Sequence, residues 1–226
     1  MDWKSKAREY RAIWVLLGLF AAAGIVVLAF CLGNVRSLPD VVGRTLTAQE
    51  QTEVIARNSP LTQYVYLTPN AGFPREGKID AITIHHMAGD LSLEQLGAEF
   101  ALADRRASAN YGVDRYGGVG LYVEEQNRAW TSSNVDNDNR AVTIEVANDV
   151  NGGDWHVSDA SYEALIELCV DICRRNGIDA LVYTGDDSGN LTTHNMFADT
   201  DCPGAYLESR LRDIADKVNQ QLNASD

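Results

Sequence analysis

Histidine is scarce in this chain, and its positions indicate where metal chemistry is expected. The 226 residues contain four histidines, at positions 85, 86, 156 and 194, and four cysteines. Imidazole nitrogen and thiolate sulfur are common zinc ligands, so a zinc site has few side chains to draw on. Cys202 follows His194 by eight residues within one irregular segment, HNMFADTDCPG. Loops held between rigid elements often carry functional residues, which makes this segment a candidate site.

Two β-rich segments present similar polar faces. In AITIHH, residues 81–86, side-chain alternation places His85 on a face with a threonine and places His86 with two isoleucines on the other. In AVTIEV, residues 141–146, Glu145 shares a face with alanine and threonine, opposite three apolar side chains. His85 and Glu145 are therefore the chemically capable residues of two matching polar faces.

Cys202 is the cysteine that is a candidate metal ligand. Cys169 and Cys173 lie one helical turn apart, where disulfide geometry is poor, and Cys31 lies in an apolar N-terminal run. We expect Pro203 to open the last helix, which puts Cys202 at a helix N-terminus, where the dipole favours a thiolate. Two imidazoles and one thiolate would leave the fourth position of a zinc ion for water.

The elements that must position these residues follow an α/β pattern. Hydrophobic periodicity predicts strands at 79–87, 111–113, 119–124, 141–147 and 180–183, and helices at 45–57, 92–106, 158–176 and 203–222. Ser92 is a predicted N-cap, Ser158 and Ser161 are the two candidate caps of the helix at 158–176, and Gly177 is a predicted helix stop. The length suits one ordinary domain and an appendage.

An uncharged apolar run precedes the α/β pattern. Ala12 to Leu32 holds 21 residues without a charge, enough for one membrane-spanning helix. Basic residues dominate before the run and only Arg36 follows it before Asp40, which predicts a cytoplasmic N-terminus. We expect a single-pass anchor in the cell membrane with the rest of the chain outside. Secretion after signal cleavage is the alternative, although residues 30–32, FCL, lack a small-residue cleavage site.

The charge of the chain excludes one class of partner. Its formal net charge is −13, and residues 1–36 carry five basic and two acidic side chains, so the remainder carries −16. A domain this acidic repels phosphate backbones. We therefore expect no nucleic acid partner.

Four motifs, in order along the chain, resemble those of the N-acetylmuramoyl-L-alanine amidase type 2 family. They are ITIHHMAG, SANYGVDRYGG, AVTIEVAND and THNMFADTDCPG, and the resemblance covers roughly residues 79–222. It implies a central mixed β-sheet flanked by helices, and a Zn2+ ion held by His85, His194 and Cys202. It also implies hydrolysis of the amide bond between N-acetylmuramic acid and L-alanine in peptidoglycan. Phage amidase lysozymes and peptidoglycan recognition proteins belong to the same superfamily.

Three further residues are expected to serve catalysis. Glu145 is the candidate base and acid, because amide hydrolysis needs proton transfers and apolar strand neighbours raise a carboxyl pKa. Tyr111 matches a family tyrosine whose phenol binds the zinc-bound water or the oxyanion. Thr200 stands where some relatives have a lysine, and we expect it to be an auxiliary hydrogen-bond donor. His86 is expected to be structural or to support the metal ligands, and His156 is expected to be structural, with a place in the substrate groove as the alternative.

These inferences divide the chain into three regions. Residues 1–36 are the predicted cytoplasmic tip and transmembrane helix, 37–78 a stalk and lead-in, and 79–226 a monomeric zinc amidase domain. The candidates for stacking on sugar rings are Trp130, Trp155 and Tyr122, and the candidates for binding stem-peptide carboxylates are Arg115 and Arg140. The alternative for each is an ordinary surface or core position.

Two other functions are compatible with the same motifs. The first is a peptidoglycan-binding receptor module without catalysis, although superfamily members of that kind often lack the cysteine ligand that this chain keeps as Cys202. The second is a zinc endopeptidase acting within the stem peptide, because the metal chemistry would be the same and only the groove would differ.

The predicted topology has a direct test. Protease added to intact cells that express the chain is expected to release a fragment corresponding to residues 37–226, detected by immunoblot with an antibody to the C-terminal region. Protection of that fragment until the cells are lysed would contradict an outward-facing domain.

Overall fold

The strands of the protein form one large sheet and one small one. The computed structural model describes residues 39–224. Within them the strands are β1 (Thr62–Val65), β2 (Ala71–Gly72), β3 (Ala81–His86), β4 (Tyr111–Val113), β5 (Val119–Leu121), β6 (Arg128–Ala129), β7 (Ala141–Val146) and β8 (Leu191–Thr193). Six strands form a sheet in the order β1-β5-β4-β7-β3-β8, in which only the β4–β5 pair is antiparallel. Strands β2 and β6 form a separate antiparallel pair.

Helices cover both faces of the large sheet. They are α1 (Ala48–Ala56), α2 (Leu93–Ala101), α3 (Val135–Arg140), α4 (Asp159–Asn176), α5 (Ala205–Glu208) and α6 (Leu211–Asn223), and a 3-10 turn, His194–Met196, follows β8. The apolar sides of α4 and α6 join the core formed by the isoleucines and valines of β3 and β7. Helix α2 lies over β4 on the opposite face, where Leu96 faces Gly112. The predicted α/β fold, with a mixed sheet between helices, is confirmed.

Local signals determine where the main helices begin and end. The Ser158 side chain accepts the N–H of Ser161 at the start of α4, and Gly177 ends that helix with a φ of 66°, which glycine adopts without strain. Ser92 and Gln95 form a reciprocal capping box at the start of α2. These three boundaries agree with the predicted ones, but α2 ends at Ala101, five residues before the predicted end at 106.

The predicted strand at 180–183 is wrong. The sheet edge is β8, residues 191–193, which pairs with β3. Val182 instead forms hydrogen bonds with residues that follow it in the chain. Its N–H donates to the Asn190 side chain, and its carbonyl accepts the N–H groups of Asn190 and Leu191. These bonds satisfy the backbone of the segment outside the sheet.

The single closing helix predicted at 203–222 is also wrong. Its place is taken by the four-residue α5 and by α6, and Arg210 is the N-cap residue of α6. Pro203 precedes Gly204 in a turn and is outside both helices. Cys202 is therefore a loop residue and not the first residue of a long helix.

The structure tests the predictions for the N-terminal region only in part. The predicted span, Ala12 to Leu32, lies outside the described residues. Among the residues that are described, no helix combines the length and the apolar character needed to cross a membrane. The predicted lead-in, 37–78, contains α1 and also β1, which pairs with β5 as a strand of the large sheet.

Candidate metal centre

His85 and Glu145 lie side by side on adjacent parallel strands. Strands β3 and β7 pair in register, with His85 directly opposite Glu145. Strand β3 also pairs with β8, with Ile84 opposite Thr193, so His194 follows at the end of β3. The carboxyl ends of all three strands lie at the same end of the sheet, which is where open α/β sheets commonly bind ligands.

Three potential metal ligands meet at the carboxyl ends of these strands. A ligand atom from each of His85, His194 and Cys202 lies within 4.8 Å of the other two. The two imidazole rings have centroids 4.8 Å apart. The Nε2 atoms of both histidines are buried and find no hydrogen-bond partner among the described residues. Because buried polar atoms in folded proteins are nearly always paired, this cluster has the donors and the unmet bonding capacity of a metal site.

Burial keeps both histidines in the state that binds a metal. It lowers the pKa of His85 well below its ordinary value, and nearby His194 and His86 lower that pKa further. Burial also lowers the pKa of His194, against an opposing effect of the Asp138 carboxylate. Both imidazoles are therefore neutral near pH 7, with a nitrogen lone pair available to a metal ion.

Cys202 reaches the histidines from an irregular loop. Its carbonyl accepts the N–H of Asn195 at 3.0 Å, and its own N–H donates to Thr200 Oγ1 at 3.2 Å. Its Sγ lies 3.5 Å from His85 Nδ1 and accepts the backbone N–H of His86 at 3.4 Å. Thr200 thus supports the backbone that presents the sulfur.

Glu145 combines burial with a missing partner. Its Oε2 is buried and has no hydrogen bond within the described part of the chain. Burial raises the pKa of Glu145 to about 8, against an opposing effect of the Arg105 charge. Both protonation states of this carboxyl group are therefore accessible near neutral pH, as a group that accepts and then returns a proton requires.

The structure does not bring Tyr111 to this cluster. Tyr111 pairs with Ile144, so its side chain takes the face opposite Glu145 and joins the main core. Its hydroxyl donates to Glu125 Oε1 at 2.6 Å and accepts the Ser59 N–H at 2.9 Å. Burial, followed by the Glu125 charge, raises the pKa of this phenol well above its ordinary value. In this position Tyr111 supports the core.

An open cleft adjoins the cluster at His194. It encloses about 550 Å³, and Trp130, Arg106 and Arg128 are among its lining residues. Neither arginine makes an ion pair or a side-chain hydrogen bond within the described residues. Sequence reasoning missed both arginines, although alternation along β6 would have indicated that Arg128 shares a side with Trp130.

A buried carboxylate shapes the same cleft wall. Asp138, only 3% exposed, accepts the backbone N–H groups of Thr131 and Ser132 and the Ser132 hydroxyl. Ser133, which follows, has a φ of 61°, an uncommon conformation for a residue with a side chain. Asp138 thereby holds the turn after Trp130 in place, a role that the sequence did not indicate.

The other predicted binding residues lie elsewhere. Tyr122 is fully buried, and its hydroxyl donates to the Leu93 carbonyl. Arg115 and Arg140 form ion pairs with Asp90 and Asp80 at 2.6 and 2.7 Å.

Trp155 and His156, the last two of these residues, both contact other rings of the protein. Trp155 packs against His86. His156 binds Asp149 at 2.6 Å and packs its ring on Tyr206, as expected of a structural histidine.

Sequence comparison identifies a family for the matched part of the chain. A family model described as N-acetylmuramoyl-L-alanine amidase matches residues 75–205, more than half of the 226 residues. The matched range contains all three residues of the cluster, together with Glu145. No curated protein sequence matches the chain.

Solved structures share the fold at low sequence identity. The catalytic domain of XlyA has a TM-score of 0.54 at 15% identity, over 69% of this chain and 97% of that one. PlyL has a TM-score of 0.51 at 17% identity, over 74% and 91%. A selenomethionine derivative of AmpD has a TM-score of 0.51 at 18% identity, over 79% and 99%. Similarity at this level supports the fold alone.

The placement of Tyr111 predicts the effect of removing its hydroxyl. Tyr111→Phe leaves the buried Ser59 N–H without a partner, so we expect the free energy of unfolding in urea to fall by about 1–3 kcal/mol. Turnover per folded molecule is expected to stay at the wild-type level. The matched control is Tyr116→Phe, at a side chain that is 80% exposed, which should change neither quantity. A large loss of turnover in folded Tyr111→Phe protein would contradict the structural role.

Proposed function

Since this chain belongs to the N-acetylmuramoyl-L-alanine amidase family, we propose that it is a zinc-dependent peptidoglycan hydrolase. The proposed reaction is hydrolysis of the amide bond between N-acetylmuramic acid and the L-alanine of the stem peptide. The observation that carries the proposal is the meeting of His85, His194 and Cys202 beside the unpartnered carboxyl group of Glu145.

The ligand set fits zinc better than magnesium or calcium. Two neutral imidazoles and one thiolate are ligands of intermediate softness, whereas magnesium and calcium take oxygen ligands. Three protein ligands are the number found in catalytic zinc sites, which keep one position for water or substrate. When bound, zinc supplies a Lewis acid that activates water and polarises the substrate carbonyl.

Glu145 is the proposed proton carrier. Its carboxylate form accepts a proton from the attacking water, and its acid form returns a proton to the departing amine of L-alanine. Burial raises the pKa of Glu145 to about 8, and the positive charge of a bound zinc ion would lower that pKa toward neutrality, which supports both steps. The in-register pairing with His85 supports its position beside the scissile bond.

The cleft next to His194 is the proposed place for the muramyl peptide. The half-buried indole of Trp130 offers an apolar ring face for a pyranose, and Arg106 and Arg128 offer unpaired positive charge for a stem-peptide carboxylate. The unpaired arginines are notable because the chain as a whole is acidic.

We place the reaction outside the cytoplasmic membrane. Support comes from the uncharged run Ala12 to Leu32 and the basic residues before it. Peptidoglycan lies on that side, so the proposed location and the proposed substrate agree.

Product analysis tests the reaction. Purified peptidoglycan digested with the protein is expected to yield new free L-alanine amino groups and disaccharides without stem peptides, both identified by mass spectrometry. New amino groups from within the stem peptide would instead show an endopeptidase. Binding without new ends would show a receptor module.

Variants separate the roles of the ligands from that of Glu145. His85→Ala and Cys202→Ala are expected to lose bound zinc and activity, whereas the control His156→Ala keeps both, because His156 pairs with Asp149 outside the cluster. Glu145→Gln is expected to retain zinc and lose about 100- to 10,000-fold in kcat. Zinc content is measured by atomic absorption and kcat with a muramyl-peptide substrate. An active Glu145→Gln enzyme would remove its proposed role.

A further inference from the structure

Cys202 Sγ accepts a hydrogen bond from the backbone N–H of His86. The His86 ring is in turn held by Asn148 and Trp155, which belong to a loop that contains none of the three proposed metal ligands. We infer that Asn148 is a positioning residue: it fixes the ring of His86 and thereby aims the His86 backbone N–H at Cys202 Sγ. The inference rests on the proposed zinc site and goes beyond its three ligands.

The orientation of the Asn148 amide follows from its two partners. Asn148 is fully buried, and one end of its amide lies 2.8 Å from the Trp155 carbonyl oxygen. A carbonyl oxygen only accepts, so that end is the NH2 group. Asn148 Oδ1 therefore faces His86 Nδ1, at 3.0 Å, and His86 must carry its proton on Nδ1.

The same loop holds His86 from a second side. The Trp155 ring meets the His86 ring edge-on, with centroids 4.9 Å apart, and Trp155 has a left-handed φ of 58°. Trp155 also packs against Gly204, where a Cβ atom would lie 2.6 Å from the Trp155 Cβ. The Asn148–Trp155 segment thus contacts His86, which donates the N–H···S bond, and Gly204, which lies two residues beyond Cys202.

This arrangement has a consequence for metal affinity. The His86 N–H lies 3.4 Å from Sγ and stabilises negative charge on the sulfur, the form that binds zinc. Groups that orient metal ligands commonly change metal affinity about 10- to 100-fold when removed. Without the Asn148 side chain the His86 ring loses its hydrogen-bond acceptor, so the last residue of β3 keeps its backbone pairing with Val146 but loses a bond that fixes its ring.

Zinc affinity, measured on the full chain by competition with a chromophoric chelator, tests the inference. Asn148→Ala is expected to bind zinc about 10- to 100-fold more weakly than wild type. The matched control is Asn58→Ala, since Asn58 is also buried and its amide also bridges two partners, here the Val54 carbonyl and the Glu125 N–H. The control is expected to lower the melting temperature and leave zinc affinity unchanged.

The outcomes separate the two proposals. Equal zinc affinity in Asn148→Ala and wild type would overturn the positioning role and leave the zinc site standing. A wild-type chain that binds no zinc would overturn both. Equal weakening of zinc binding in Asn58→Ala would show a general effect of lost stability and would also overturn the positioning role.

A measurement on the wild-type chain keeps the inference testable if Asn148→Ala does not fold. The chain has four histidines, so labelling histidine with a nitrogen isotope gives four backbone amide signals. With zinc replaced by an NMR-active cadmium isotope, the His86 amide proton is expected to show scalar coupling to the metal through the N–H···S bond. The side-chain signals of His86 are expected to be those of the Nδ1–H tautomer. Absence of the coupling, or the other tautomer, would overturn the inference.

Discussion

The in-register parallel pairing of β3 with β7 is the constraint on which the rest of the site depends. It sets His85 opposite Glu145, and the pairing of β3 with β8 brings His194 to the same edge. Because side chains alternate along a strand, a slip of one residue would turn either group to the other face. The isoleucines and valines of these strands, buried against α4 and α6, hold the register.

The site concentrates buried polar atoms that the protein itself leaves without partners. His85 Nε2, His194 Nε2 and Glu145 Oε2 all lack hydrogen bonds within the described chain. Each such atom opposes folding, because burial removes its bonds to water. The apolar core on the far face of the sheet stabilises the fold enough to offset that cost. Unmet bonding capacity at one sheet edge is typical of a site whose ligand completes it.

Side-chain alternation also explains why two residues that the sequence predicted to be catalytic lie on different faces of the sheet. Glu145 and Tyr111 lie on adjacent strands, but Tyr111 is opposite Ile144 and shares its face. The phenol therefore enters the core and binds Glu125, which Arg175 also holds at 2.6 Å. In the proposed mechanism proton transfer is left to Glu145, and the Thr200 hydroxyl accepts the Cys202 backbone N–H.

The sequence by itself determined the features that depend on neighbours along the chain. Helix caps such as Ser158 and Gly177, and the shared face of His85 with the polar side of its strand, follow from local geometry. Tertiary structure alone decided the path of the Cys202 loop, the edge position of β8 and the burial that sets the pKa of Glu145. The physical reason is that irregular loops, strand order and desolvation arise from contacts between residues far apart in sequence, which no local period encodes.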